Sequence, residues 1–223
     1  MPGADHSATQ AAALRSLQEA QRRCTRCVEA GYLAVSRPVF SGDAKQRILL
    51  VGQAPGPVEN DCTRPFAGRA GRQLMRWFER GGFAGEGDVR DRVYMTSMTT
   101  CFPGRTPDGR GDRRPSSRAV ALCSGWLDAV LALVAPRLVM PIGSLALGRF
   151  LPGHRLDDAV GRLFDAAGTA VEAPGATAAG PPLLLPLPHP SGQSRWLNDP
   201  TRVRQLDGAL SRLPQLIRWA ESG

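Results

Sequence analysis

The segment Gly52-Gln53-Ala54-Pro55-Gly56 follows directly on the apolar run Ile48–Val51. A turn built this way brings backbone N–H groups and one polar side chain, Gln53, close to a ligand. Ten residues beyond Gly56 stands Phe66, between Pro65 and Ala67-Gly68. A ring among small residues is either a core residue or a stacking face for a flat ligand, worth about 1–3 kcal/mol per nucleobase. Far downstream, His189 sits between Pro188 and Pro190, with Ser191-Gly192 after it. A lone histidine is usually a satisfied structural residue. Here two prolines fix its backbone at the end of an apolar run.

A second group is made of thiols. Cys24-x2-Cys27 can clasp a metal or cluster from one short turn, and Cys101 and Cys123 can close a four-thiolate site. Such a set suits zinc or an iron–sulfur cluster, and the spacing does not choose between them. Cys62 stands apart as a free thiol. Arg105, Arg110, Arg113, Arg114 and Arg118 crowd one segment against Asp108 and Asp112. This is either a phosphate-tracking loop or a solvated one.

The elements that must position these residues follow from periodicity. Arg47–Val51 and Val93–Thr96 are short apolar runs of the kind buried on both faces of a parallel sheet, and Leu138–Ile142 and Leu183–Leu187 add two more. Helices are predicted over 8–23, 70–80, from a Ser116 or Ser117 cap to Pro136, from Gly143 to Leu151, and after the Asp199-Pro200 start signal. Residues 165–182 read as a poorly specified hairpin or surface loop. The alternation predicts an α/β fold: a three-layer α/β/α domain spanning 1–223, with a mainly parallel four-stranded central sheet. Gln53, Ser97, Gly143 and His189 each follow a strand, so all can share the carboxyl edge where ligands bind in such sheets.

The chain carries 28 Lys+Arg against 20 Asp+Glu, a net charge of +8, and a pI near 10.2. A basic balance fits a polyanionic partner or simply a soluble surface. No apolar run reaches the ~20 residues of a membrane span, and the first residues lack the pattern of a secretory signal. A cytoplasmic, nucleoid-associated bacterial monomer with reduced cysteines is the expectation.

Taken together, the Gly-Gln-Ala-Pro-Gly segment, the ungapped interval to Pro65-Phe66, the Gly68-Arg69-Ala70-Gly71 that follows and the Pro-His-Pro-Ser-Gly near the end resemble the two active-site motifs of the uracil-DNA glycosylase superfamily. The order of the four cysteines resembles its family-4 branch, which carries a 4Fe–4S cluster; zinc is the alternative. The resemblance implies a DNA-repair glycosylase that flips uracil or another deaminated base from DNA and hydrolyses its N-glycosidic bond. It implies Gln53 and His189 as catalytic, Gly52, Ala54, Phe66 and Ser97 as base-binding, and Cys24, Cys27, Cys101 and Cys123 as ligands. Ser191, Gly192, Arg195, Trp196 and Leu197 would meet DNA, with the last three filling the gap left by the flipped nucleotide; packing against the final helix is the other reading of Trp196 and Leu197. Two positions depart from the family pattern. Gln53 stands where family 4 has Glu, and Ser97 stands where the family has an Asn that reads the edge of uracil. A catalytically weak DNA-binding protein with a structural cluster is the alternative function.

Overall fold

The structure, a computed structural model, describes residues 3–175, 180–192 and 195–222, except the side chains of 3–6 and 195. Among these the elements run α1 (Gly3–Arg22), α2 (Arg26–Glu29), β1 (Ile48–Gly52), α3 (Pro57–Cys62), α4 (Arg69–Arg80), α5 (Glu86–Arg92), β2 (Val93–Ser97) and α6 (Ser117–Val134). They continue with β3 (Leu138–Pro141), α7 (Gly143–Phe150), α8 (Leu156–Ala159), β4 (Leu163–Phe164), β5 (Ala170–Val171), β6 (Leu183–Leu184), a 3-10 turn (Arg195–Asn198) and α9 (Pro200–Glu221).

The strands form one sheet in the order β2-β1-β3-β6-β4-β5. The first four are mutually parallel, and β4 and β5 are antiparallel additions. Among the described residues the sheet therefore has six strands where four were expected. The extra pair comes from the weakly patterned stretch before residue 182. There the Asp165 carboxylate accepts from the Ala167 and Thr169 N–H groups. That turn folds Leu163-Phe164 onto Ala170-Val171, and Leu163 and Phe164 are buried.

Side-chain alternation divides the core into two layers. Ile48, Leu50, Val93, Met95, Leu138 and Met140 face α4 and α9, with Trp77, Phe78, Leu210 and Leu213 in the same cluster. Leu49, Val51, Tyr94 and Val139 face α1, α6 and α7, with Leu14, Leu127, Val130 and Leu147. Helices on both faces of a mostly parallel sheet give the three layers. Burying this much of each strand stabilises the sheet by roughly 1.5–3 kcal/mol per large apolar side chain.

Helix boundaries follow the expected local chemistry. Ser116 Oγ accepts from the Ala119 N–H at the start of α6, and Asp199 accepts from the Thr201 N–H with Pro200 opening α9. Over its 18 residues α6 is long and apolar enough, by length and composition, to cross a membrane. Its Leu127, Val130 and Val134 stripe packs into the second core layer.

Candidate active site and thiol cavity

Gly52 and Ser97 are register partners at the carboxyl ends of β1 and β2. A Cβ on Gly52 would lie 3.1 Å from Phe66 Cζ and 3.8 Å from Ser97 Cβ. Glycine here lets the aromatic ring close on the strand ends. The turn beyond is tied down by Met98 N–H to Gly52 O (2.9 Å) and Thr99 N–H to Gln53 O (3.2 Å). Ser97 is buried, and its hydroxyl donates to Thr99 O at 2.8 Å. Its proton is committed, so toward the cavity it offers only lone pairs.

Phe66 is held in a left-handed conformation, φ 54°, which costs a non-glycine residue of order 1–3 kcal/mol. Its neighbours supply the constraint. Arg90 donates twice to Pro65 O (3.1 and 3.2 Å) and is itself anchored on Glu86 at 2.8 Å. The two carboxylate oxygens of Glu59 accept from the Gly56 N–H (3.1 Å) and the Gly68 N–H (2.8 Å). One acid thus fastens the Gln53 turn to the segment that presents the ring. Arg90 and Glu59 were not singled out in the sequence. The signal for Glu59 was there, an acid three residues after the helix-capping Gly56.

His189 is positioned by the other half of the sheet. Ile142 bridges Leu187 in parallel, and the Gly143 N–H donates to Leu187 O at 2.9 Å. Gly143 has φ 78°, and a Cβ there would lie 3.4 Å from His189 Cβ, so the glycine lets α7 start against the imidazole. The Ser191 N–H donates to His189 Nδ1 at 3.2 Å, and Ser191 Oγ lies 2.9 Å from the same nitrogen. Burial pushes the His189 imidazole below its ordinary value. A neutral ring whose Nδ1 accepts must carry its proton on Nε2.

Both halves line one cavity of about 1190 Å³. Gly52, Gln53, Ala54, Phe66 and Ser97 meet there with His189, Ser191, Gly192 and Leu197, and Arg69, Arg76, Arg105 and Arg113 give its wall positive charge. Trp196 is a correction: it is only 8% exposed, within the core cluster. Its indole N–H donates to Asp157 Oδ1 at 2.6 Å, so it packs rather than presses on DNA. Leu197 packs on the core and also lines the cavity. The Arg195 side chain lies outside the described residues, as do Gln193 and Ser194.

A second cavity of about 280 Å³ is lined by Cys24, Cys27, Cys101 and Cys123. Burial raises the Cys27 thiol above its ordinary value, and so does repulsion from Cys123, Cys101 and Cys24; burial does the same for Cys101 and Cys123. Polar groups address the sulfurs: Trp126 Nε1 donates to Cys24 Sγ (3.3 Å), Ser36 Oγ lies 3.5 Å from Cys101 Sγ, and Thr100 Oγ1 lies 3.7 Å from Cys123 Sγ. Among the described residues no three His, Cys, Asp or Glu groups close on one ion-sized position. The Arg-rich segment is a hairpin, bridged between Arg105 and Asp112. Its Pro103 and Arg113 line both cavities. Cys62 is exposed and is not among the residues lining this cavity.

Comparison with known proteins agrees with the geometry. The model of the "Uracil DNA glycosylase superfamily" matches residues 39–212. The Type-4 uracil-DNA glycosylase of Thermotoga maritima is 29% identical over 143 residues, 63% of this chain and 67% of that one. The Type-4 enzyme of Pyrobaculum aerophilum is 26% identical over 166 residues, 71% and 79% of the two chains. A Type-5 uracil-DNA glycosylase of the same organism is 32% identical over 115 residues, 47% and 48%. With the match spanning both arms of the cavity, from the strand ends around Gly52 to the His189 segment, this chain belongs to the uracil-DNA glycosylase superfamily.

Proposed function

We infer that this protein is a DNA-repair glycosylase that excises uracil by hydrolysing its N-glycosidic bond. One observation carries the reading: the ring of Phe66 and the imidazole of His189, from opposite arms of the sheet, line a single cavity. DNA docks through phosphate contacts to the basic wall, where Arg69 and Arg76 lie, since such contacts position without reading sequence. The nucleotide flips at a cost of a few kcal/mol. Phe66 stacks on the base, with Gly52 and Ala54 allowing close approach. His189 donates from Nε2 to the base oxygen that gains charge as the bond to C1′ lengthens, a donor whose loss costs about 3–4 kcal/mol. Gln53 orients the attacking water. Ser191, Gly192 and Leu197 meet the duplex around the gap, together with Arg195.

Ser97 bears on which base fits. With its proton given to Thr99 O, its oxygen accepts from a ring N–H such as uracil N3–H. It supplies no donor to the neighbouring exocyclic oxygen, so selection between uracil and other deaminated bases rests on cavity shape and on His189.

The four-thiol cavity suits a 4Fe–4S cluster held by Cys24, Cys27, Cys101 and Cys123, with zinc as the alternative. Thiolates buried together need a cation among them, and the Trp126, Ser36 and Thr100 donors stabilise sulfur-borne charge. When bound, such a group acts structurally, tying α2 to the segment after β2 and to α6. The protein would work in the cytoplasm, on the nucleoid, as a monomer.

Incubation with single- and double-stranded oligonucleotides containing uracil, hypoxanthine or xanthine tests the reading. Alkali-labile abasic sites at uracil are the expected product. DNA binding without base release from any of them would select the non-catalytic alternative.

A further inference from the structure

The cavity contains two acids among its described lining residues, Glu59 and Asp112. Glu59 is spent, since each of its oxygens accepts a backbone N–H. Gln53, at the water-orienting position, has an amide that cannot take a proton. Asp112 is differently placed. Its Oδ1 lies 3.2 Å from Arg105 in a half-exposed ion pair. Its Oδ2 points back at the Gln53 turn, lying 3.4 Å from where a Cβ on Gly56 would be. The hairpin that carries it is well tied. Thr106 N–H donates to Gly111 O and Arg113 N–H to Gly104 O, both at 2.8 Å, and Thr106 Oγ1 donates to Asp108 at 2.6 Å.

We propose that Asp112, delivered by this hairpin, is the general base of the reaction, in place of a carboxylate at position 53. The proposal rests on the glycosylase reading above. As the C1′–N bond breaks, its electron pair leaves with the base, whose charge is met by the His189 N–H. The water oxygen bonds to C1′, and the proton it sheds passes to Asp112 Oδ2. The base anion is then protonated from solvent and Asp112 returns its proton to water. Gln53 and Asp112 divide between an amide and an acid the orienting and accepting of one water.

The test is single-turnover uracil release by the full-length protein, with oligonucleotide affinity measured in parallel. Asp112→Asn keeps the hairpin shape and removes the base. A fall of about 10²-fold in rate is expected at unchanged affinity, with recovery of about tenfold or more when Gln53→Glu is added. A D112N rate within about threefold of the unsubstituted protein, or a matching loss of affinity, would overturn the proposal alone. Absence of release by the unsubstituted protein from every uracil substrate would overturn the glycosylase reading, and this proposal with it.

Discussion

Gly71 passes so close to Phe66 that a Cβ built on it would sit 1.8 Å from the Phe66 carbonyl oxygen. The first turn of α4 is therefore the mould in which the left-handed Phe66 backbone is set. Gly71→Ala is expected to push that backbone out and cost at least ~1–3 kcal/mol, as overpacking does. Thermal unfolding and uracil release should both fall. Phe66→Ala removes a partly buried ring packed on the core; it should lower stability without pushing the backbone out, and weaken binding of the flipped base by about 1–3 kcal/mol.

Glu59 fastens the two halves of the motif loop through the Gly56 and Gly68 N–H groups. Glu59→Ala strands both donors, at about 1–3 kcal/mol for each one left without a partner. Glu59→Gln keeps one acceptor oxygen and should fall between. Denaturant unfolding of the three proteins checks the order, and activity should follow it.

His189 titrates with a definite sign. Burial lowers its value in the folded protein, so the neutral, Nε2-protonated ring is present at neutral pH. The rate should be flat there and fall as pH drops through that lowered value, because the cationic ring no longer has Nδ1 free to accept from Ser191. Stability moves the same way. As pH falls below the ordinary value near 6.5, the unfolded chain binds the proton first and the folded state loses stability. His189→Ala should remove both slopes and slow uracil release about 10²–10³-fold. A pH–rate profile and pH-dependent unfolding of both proteins measure this.

The thiol cavity makes a spectroscopic prediction. The protein purified without oxygen should be brown and carry iron, and Cys24→Ser or Cys101→Ser should lose both colour and stability. Trp126→Phe, which deletes the donor to Cys24, should shift the visible band while iron stays bound. Stoichiometric zinc in a colourless protein would assign the site to zinc.

Much of this molecule is legible in its amino-acid order. Residues 48–51, 93–95 and 138–141 form apolar runs, because strands covered on both faces leave no room for alternation. Ser116 and Asp199 announced their helices through side-chain oxygens that reach only two or three residues along the chain. The Phe66 and His189 motifs were visible for the same reason: glycine and proline encode backbone shape locally. The β4–β5 pair was legible only as an unplaced hairpin or loop, since two-residue strands carry no period and their pairing depends on an Asp165 turn within an otherwise featureless stretch.

Amino-acid order alone set which residues could do chemistry and the local geometry around each, since turn, cap and strand preferences act over a few neighbours. Only the folded chain decided which of them meet. Trp196 went to the core because Asp157, remote in sequence, met its indole N–H. Asp112, unremarkable on its own loop, came to lie against Gly56 because its hairpin packs back on the Gln53 turn. Contacts of that kind depend on packing between distant segments, where one residue's surroundings are fixed by the whole chain at once.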